Sequence, residues 1–393
     1  MTEKTTPMLR TDKSRIDAVD ALRGFAVMAI LLVHSLEHFI FPVYPDSSPA
    51  WLAALDDGVL AVVFALFAGK AYAIFALLFG LTFHLQYAAR RSRGEDFGGR
   101  FLWRLLLLAG FATLNAAFFP AGDVLLLFSI VGVVLFLVRR LSDGVVLALA
   151  LFFLFQPVEW YHCFRALSDP GYALPDFGVK AMYDEVAAYT GAGNFREFIT
   201  GNVTLGQKAS LLWAVNAGRY SQTAGLFLLG LLLGRRGLFL DSAANTRFWV
   251  RALIAGAVAF VPLQALHGLF GDATAARMAG TVLDMWQKFA FTAVLVASFL
   301  LLYRTARFRR VTDGLRFYGR MSLTNYITQS VAGALIFFPF GLGLASCCGY
   351  TLSLVIGLGV FVLQVAFCRW WLRSHRQGPL ESLWHRLTWL GSK

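Results

Sequence analysis

Charged residues are scarce in this chain. Of its 393 residues only 15% are Asp, Glu, Lys or Arg, whereas 58% are hydrophobic, and the mean hydropathy is +0.63. Soluble globular domains carry about 25% charged and about 45–50% apolar residues. The shortage of charge excludes a water-soluble enzyme, a nucleic-acid-binding protein and a disordered regulator, and it predicts an integral membrane protein.

Cysteine is also rare, with four residues in the chain. None has the C-x-x-C spacing, so the sequence gives no support for a cysteine metal site. In the topology predicted below, Cys163, Cys347 and Cys348 fall on the outer, oxidising side, and Cys368 falls near the reducing inner side. Either Cys163 forms a disulfide with one of the vicinal pair, or all of these residues are free thiols.

Long apolar stretches follow one another along the chain. A helix needs about 20 mostly apolar residues to cross a bilayer core about 30 Å thick. Ten stretches are candidates: 24–43, 59–87, 101–119, 124–138, 143–160, 210–233, 248–268, 282–303, 321–344 and 350–371. The second is long enough to be tilted or broken. The sequence therefore predicts an all-α, polytopic membrane protein with about ten transmembrane helices.

Basic residues are distributed unevenly between these stretches. With a cytoplasmic amino terminus, the inner segments hold 27 of the 35 Lys and Arg residues and the outer segments hold five. Cytoplasmic loops of membrane proteins are enriched in Lys and Arg. We therefore predict an inner-membrane protein with both termini in the cytoplasm. The net charge of +12 then reflects topology, with membrane lipids rather than nucleic acid as partners.

The hydrophilic segments suggest a simple domain organisation. Residues 1–15 are predicted to be a flexible cytoplasmic amino terminus without a cleavable signal peptide. Residues 16–389 form one transmembrane domain, and 390–393 are a short tail. The longest hydrophilic segment, at about 161–208, predicts a small extracytoplasmic cap with an amphipathic helix.

Ionisable residues within apolar stretches are costly in lipid and indicate an interior cavity. Arg23 and His34 are eleven residues apart, which places them on one face of a helix, about 16 Å from each other. An arginine at the inner rim can bind a phosphate, and a buried neutral imidazole can remove a proton from a hydroxyl. The alternative is a topology anchor at Arg23 and a core histidine at His34. The catalytic interpretation requires both to open into one cavity.

Glu37 and His38 extend this pattern to H-x-x-E-H, the spacing of inverted zinc peptidases. The motif lies at a helix end, just before Pro42, and no downstream acidic helix supplies a third ligand. We therefore predict no metal site. Glu37 is predicted instead to orient the His34 ring or to contact an acceptor at the outer membrane boundary.

Other polar residues in the apolar stretches have alternative roles. Lys70 either neutralises an anion or extends to the interface, and Asp123 either caps the next helix or faces a cavity. Arg219 and the pair formed by Asp284 and Lys288 are interpreted as structural. The ninth stretch carries polar residues that either join helices or line a tunnel and bind substrate: Arg320, Ser322, Asn325, Tyr326, Gln329 and Ser330.

The first stretch, Asp20-Ala-Leu-Arg-Gly-Phe-Ala with its Arg-x10-His spacing, resembles the opening helix of the transmembrane acyltransferase superfamily. Most of the chain resembles one branch, the YeiB-like membrane proteins of domain-of-unknown-function family 418. The matching pieces are Phe67-Ala-Gly-Lys70-Ala-Tyr72-Ala-Ile-Phe75, Leu78-Phe79-Gly80, Gly122-Asp123-Val-Leu, Leu229-Gly-Leu-Leu-Leu-Gly234-Arg, Gly319-Arg-Met-Ser-Leu-Thr-Asn325-Tyr and Gly378-Pro-Leu-Glu381-Ser-Leu-Trp384. This branch commonly has Asn where this sequence has His34.

The resemblance to the superfamily implies an acyltransferase with no permanently bound cofactor. Acyl-CoA, such as acetyl-CoA, would be the donor, with its phosphates near Arg23, and His34 would activate an extracytoplasmic sugar-like or lipid-linked acceptor. Lys70, Asn325 or Tyr326 would stabilise the oxyanion. Two alternatives are a transporter or permease of a small anionic or hydrophobic solute, and a membrane protein without catalytic activity.

Overall fold

The computed structural model describes residues 12–45, 47–169, 171–266 and 269–390. Within these ranges the regular elements are helices and no strand occurs, which confirms the all-α prediction. Residues 1–11 and 391–393, which make up most of the predicted flexible amino terminus and tail, lie outside the described residues.

The helices run in chain order through three regions. The first region contains α1 (Asp12–Glu37), α2 (Ala50–Phe67), α3 (Lys70–Arg91), α4 (Gly98–Ala116), α5 (Leu125–Val131), α6 (Val133–Val138), α7 (Asp143–Leu154) and α8 (Pro157–Ser168). The second contains α9 (Val179–Gly191), α10 (Phe195–Gly201), a π-helical turn (Asn202–Gly206) and α11 (Gln207–Asn216). The third contains α12 (Arg219–Arg235), α13 (Ala243–Leu266), α14 (Thr274–Tyr303), α15 (Ala306–Val311), α16 (Asp313–Arg320), α17 (Ser322–Phe337), a 3₁₀ turn (Leu344–Cys347), α18 (Tyr350–Trp371) and α19 (Pro379–Thr388).

Several helical segments are long and apolar enough to cross a membrane, which supports the assignment as a membrane protein. In the part of the chain that the structure describes, five qualify: Asp17–Glu37, Ala50–Arg91, Ala243–Leu266, Thr274–Tyr303 and Tyr350–Trp371. The pair α7 and α8, bent by 45°, makes a sixth if the two helices form one span. The total of about ten spans and the cytoplasmic position of both termini stay predictions.

The second apolar stretch is broken between α2 and α3. Gly69 lies at the break with φ of +73°, a left-handed conformation that residues with a Cβ rarely adopt. Helix α3 beyond the break is largely buried, whereas α2 has only Asp56 and Val63 buried. The glycine therefore directs the chain from the periphery into the centre of the helix bundle.

Close helix crossings hold the centre of the bundle together. A Cβ atom on Gly80 of α3 would lie 1.9 Å from the carbonyl oxygen of Phe227 in α12, and one on Gly230 of α12 would be equally close to the α3 backbone. Gly24 of α1 and Gly319 of α16 meet in the same way. Small residues allow helix backbones in membranes to approach each other. These glycines belong to the motifs quoted above, so part of that sequence pattern encodes helix crossings.

Helix α19 packs against α4 and α17. The carboxylate of Glu381 accepts hydrogen bonds from the backbone N–H groups of Leu323 (2.7 Å) and Thr324 (3.0 Å) and from the Thr324 hydroxyl (2.6 Å). The first N–H groups of a helix have no partner within the helix, and a carboxylate there is stabilising. Glu381 thereby attaches α19 to the start of α17.

The predicted cap segment is more helical than expected. Residues 161–208 contain the end of α8, then α9, α10, the π-helical turn and the first residues of α11, rather than one amphipathic helix. The Tyr189 hydroxyl donates to Oδ1 of Asn202 (2.8 Å), and the Tyr183 hydroxyl donates to the carbonyl of Ala121 (3.0 Å). The second bond connects the segment to the loop between α4 and α5. The extracytoplasmic position of this cap stays a prediction.

Candidate functional site

Two cavities lie along α1, one near each end of its apolar face. The cavity that contains Arg23, named here the Arg23 cavity, measures about 340 Å³ and lies among α1, α3, α4, α17 and α19. The cavity that contains His34, the His34 cavity, measures about 900 Å³ and is bounded by α1, the break before α3, the loop before α5, the cap and α12. Ligand cavities in proteins measure roughly 300–1,000 Å³.

The Arg23 cavity has a cationic rim. Arg23 donates hydrogen bonds to Asp20 (2.8 Å) and Thr82 (3.1 Å). Arg320 donates to the backbone carbonyl of Arg376 (3.0 Å), and the guanidinium of Arg104 lies 4.2 Å above the Trp384 ring. The predicted residues Arg23, Arg320 and Ser322 thus line one cavity, together with Arg104, which the sequence analysis counted only as a topology signal.

The His34 cavity contains a buried imidazole. The His34 side chain is 7% exposed, its ring centroid lies 4.4 Å from that of Phe119, and Nδ1 has no hydrogen-bond partner among the described residues. Glu37 and His38 line the same cavity, with a Glu37 carboxylate oxygen 3.7 Å from Nε2 of His38. Glu37 therefore approaches His38, one residue away, rather than the His34 ring.

An aromatic layer separates the two cavities. The ring of Tyr326 lines the Arg23 cavity, and its centroid lies 6.1 Å from that of His34. Tyr72, which lines the His34 cavity, lies 5.4 Å from Phe128, which lines the Arg23 cavity. The expectation that Arg23 and His34 open into one continuous cavity is therefore wrong for this conformation. We refer to Tyr72, Phe128 and Tyr326 as the aromatic layer.

The remaining polar residues of the ninth stretch have different surroundings from Tyr326. The Asn325 amide donates to the carbonyl of Tyr318 (2.9 Å) and to Sγ of Cys368 (3.2 Å), which joins α17 to α16 and α18. Gln329 is fully buried, and its amide atoms have no partner among the described residues. Neither residue lines the Arg23 or His34 cavity. Only part of the polar stripe therefore faces a cavity.

Lys70 is likewise not among the residues that line the two cavities. Its ammonium donates a 3.4 Å hydrogen bond to the carbonyl of Phe64 and lies 5.8 Å from the centre of the Phe291 ring. A cation near the carboxyl end of a helix interacts favourably with the unpaired carbonyl groups there. In this structure Lys70 stabilises the end of α2.

Among the charged residues that line the His34 cavity, three that lie in or beside apolar stretches were not selected as site residues: Asp123, Arg219 and Lys288. Asp123 satisfies both of its proposed roles, because it faces the cavity while one oxygen accepts from the Leu126 N–H (3.3 Å) at the start of α5. Its other oxygen accepts from the Asn115 amide (2.9 Å). Each of the three is a charge in or beside an apolar stretch, which was the available signal, but the sequence does not show that their helices meet.

Comparison with known proteins connects this arrangement to a family. Residues 233–391 match the model of the family described as "Protein of unknown function (DUF418)". The chain is 28% identical to the uncharacterized protein YeiB of Escherichia coli K12 (94% of this chain, 95% of the relative) and 25% identical to the uncharacterized protein YxaH of Bacillus subtilis 168 (96% and 94%). The chain is thus similar to YeiB over nearly its whole length, and its residues 233–391 match the DUF418 family. No solved structure matches it significantly.

The part of the chain that matches the DUF418 model and the part before it contribute different groups to the site. The region that matches the DUF418 model supplies Lys288, Arg320 and Tyr326. Arg23 and His34 come from α1, which precedes the matched region. The aromatic layer is therefore built from both parts of the chain.

The four cysteines form no disulfide. Cys163, Cys348 and Cys368 are buried free thiols, and Cys347 is an exposed one. Of the two alternatives for these residues, a disulfide formed by Cys163 or free thiols, the free thiols are thus correct. Among residues 12–45, 47–169, 171–266 and 269–390, no three His, Cys, Asp or Glu side chains come together as ligands for a metal ion.

Proposed function

We propose that this protein transfers an acyl group from cytoplasmic acyl-CoA to a hydroxyl or amine of an extracytoplasmic sugar-like or lipid-linked acceptor. One observation carries the proposal. Two cavities reach the same aromatic layer from opposite ends of α1, one with an arginine rim and the other with a buried imidazole. Such a pair suits a reaction whose donor and acceptor are on different sides of a membrane.

The donor would occupy the Arg23 cavity. Arg23, Arg104 and Arg320 present guanidinium groups, which bind phosphate oxygens through paired N–H donors. Beyond this rim the wall is apolar, with Leu78 and Leu105 among its residues, and suits the pantetheine arm and the acyl chain. The thioester would then lie against the aromatic layer.

The acceptor would occupy the His34 cavity. The imidazole of His34 removes the proton from the acceptor oxygen or nitrogen as that atom attacks the thioester carbonyl. The carbon–sulfur bond breaks, the acyl group stays on the acceptor, and the proton passes from His34 to the CoA thiolate. The hydroxyl of Tyr326, which has no hydrogen-bond partner among the described residues, would donate a hydrogen bond to the developing oxyanion. Transfer requires a movement of the Tyr326 side chain that lets the thioester pass the aromatic layer.

The proposal is tested on purified full-length protein in two steps. CoA binding, measured by calorimetry, should weaken at least tenfold in Arg23→Gln and Arg104→Gln and stay unchanged in Arg93→Gln, a control at an exposed arginine between α3 and α4. Release of CoA from acetyl-CoA in reconstituted vesicles containing bacterial phospholipids should fall about 10²–10⁴-fold in His34→Ala, the range expected on loss of a general base.

Transfer by His34→Ala at the parent rate would eliminate the mechanism, and CoA affinity equal in all three arginine variants would eliminate the donor site.

A second function, transport of a small anion, is favoured by one observation: an aromatic layer between two cavities is also the arrangement of a closed gate. A transporter should move solute across the vesicle membrane without releasing CoA from acetyl-CoA.

A further inference from the structure

We propose that Arg219 and Lys288 bind the phosphate group of a phosphate-bearing ligand in the His34 cavity. If the proposed function is correct, on which this identification of the ligand rests, that ligand is the acyl acceptor. The site lies where α12, α14 and the break between α2 and α3 meet, so three separate parts of the chain form it.

Gly69 makes room for the two cations beside each other. A Cβ atom at this position would lie 2.8 Å from Cδ of Lys288 and 3.4 Å from Nη2 of Arg219. The first distance is too short for a side chain at this position unless Lys288 moves, whereas the second is an ordinary van der Waals contact. The break in the second apolar stretch therefore positions α3 and also forms the floor of this site.

Arg219 is a buried cation for which no ion pair is found within the described part of the chain. Its side chain is 9% exposed, and it forms no ion pair with a carboxylate among the described residues. Its guanidinium donates to Oε1 of Gln222 (2.7 Å) and lies 4.9 Å from the centre of the Tyr72 ring. Burial of a charge is costly unless an opposite charge compensates it. A bound anion would supply that charge.

Lys288 and the amino-terminal end of α12 add positive electrostatic potential at this site. Lys288 is hydrogen-bonded to Asp284, one helical turn away, so it is held in place while part of its charge is balanced. Arg219 is the first residue of α12, whose amino terminus carries a partial positive charge. Carboxylates nearby, including Glu159 and Asp176, limit the excess of positive charge. The site therefore suits one phosphate group rather than a polyanion.

The space around the two cations accommodates the rest of a ligand. The His34 cavity borders another cavity of about 900 Å³ between α8, α14 and residues 172–177, and both are lined by Arg219 and Lys288. A phosphate at this junction leaves the attached group free to extend toward His34. The planar fork of an arginine together with a lysine ammonium matches the geometry of phosphate oxygens.

The experiment measures binding of sn-glycerol 3-phosphate to the full-length protein by calorimetry, with glycerol as the uncharged probe. Arg219→Gln and Lys288→Gln should each weaken binding at least tenfold, and glycerol should not bind. Lys180→Gln is the matched control, because Lys180 lies on the same cavity but is exposed and paired with Asp184. If Arg219→Gln does not fold, Arg219→Lys replaces it in the experiment. This variant keeps the positive charge but loses the planar guanidinium with its paired N–H donors.

A second arm distinguishes a soluble phosphate from a lipid headgroup. The protein is placed in phosphatidylglycerol or in phosphatidylcholine nanodiscs, and its thermal midpoint is compared between the parent and the Arg219 variants. If phosphatidylglycerol raises the thermal midpoint of the parent more than that of the Arg219 variants, and glycerol phosphate does not bind, the ligand is a lipid. If glycerol phosphate binds and this stabilisation is absent, the ligand is soluble. If neither probe depends on Arg219 or Lys288, the inference is overturned.

The same measurements separate this inference from the proposed function. His34→Ala should bind glycerol phosphate with the parent affinity even though transfer is lost. Arg219-dependent binding in a protein that releases no CoA from acetyl-CoA would leave the anion site standing and reject the acyltransferase. Acyl transfer with unaltered glycerol phosphate binding in Arg219→Gln would reject the anion site alone.

Discussion

At the scale of single residues, Asp123 joins a buried carboxyl group to the wall of the His34 cavity. It lies in the connection between α4 and α5, where burial raises the pKa of its carboxyl to about 7 against the opposing effect of hydrogen bonds from Leu125, Leu126 and Asn115. A pKa above the unfolded value of 3.8 means that folding favours the protonated form. The protonation of the Asp123 carboxyl group therefore depends on pH near neutrality.

This pKa predicts how stability changes with pH. The contribution of Asp123 is fully present below about pH 4 and is lost as the pH rises through about 7, because the ionised form is then forced into a buried site. Asp123→Asn should therefore flatten the decline of the thermal midpoint between pH 5 and pH 8, measured in detergent. Asp176→Asn, which replaces an exposed carboxylate on the same cavity, should show the same decline of the thermal midpoint as the parent. Equal slopes in both variants would contradict the prediction.

At the scale of elements, the crossing of α3 and α12 is the contact most sensitive to side-chain size. Gly80→Leu should lower the thermal midpoint and the yield of folded protein, because a Cβ at this position already meets the Phe227 carbonyl at 1.9 Å. Overpacking costs about 1–3 kcal/mol where neighbours can adjust, and more is expected against a backbone. Gly110→Leu in α4 is the control, since nothing lies within 4 Å of a Cβ there.

A glycine in a helix interior is itself unfavourable by about 1 kcal/mol relative to alanine. Gly110→Leu should therefore leave the thermal midpoint unchanged or raise it. Equal midpoints for the Gly80 and Gly110 variants would show that α3 and α12 do not approach as closely as described here.

At the scale of the whole molecule, the orientation in the membrane decides which reactant reaches which cavity. Cys347 is exposed and lies on the predicted outer side, whereas the other three cysteines are buried. A membrane-impermeant maleimide added to intact cells should therefore label the parent protein and not Cys347→Ser. In the Cys347→Ser background, Arg310→Cys, at an exposed position on the predicted inner side, should react only after the cells are opened. Labelling in the opposite pattern would invert the donor and acceptor sides.

The sequence by itself determined the class of the protein and several local features. Composition excludes a soluble chain, the length of the second apolar stretch allows for a break within it, and the face shared by Arg23 and His34 follows from residue spacing along one helix. These properties depend on transfer free energy and helix periodicity, which act within one segment.

Only the tertiary structure decided how the segments combine. It separated Arg23 from His34 by an aromatic layer, turned Lys70 and Asn325 toward neighbouring helices, and brought Arg219 and Lys288 together. Periodicity gives the direction of a side chain about its own helix axis but not which helix lies opposite. That choice depends on close packing at small residues such as Gly80 and Gly230, where contacts between distant parts of the chain determine the result.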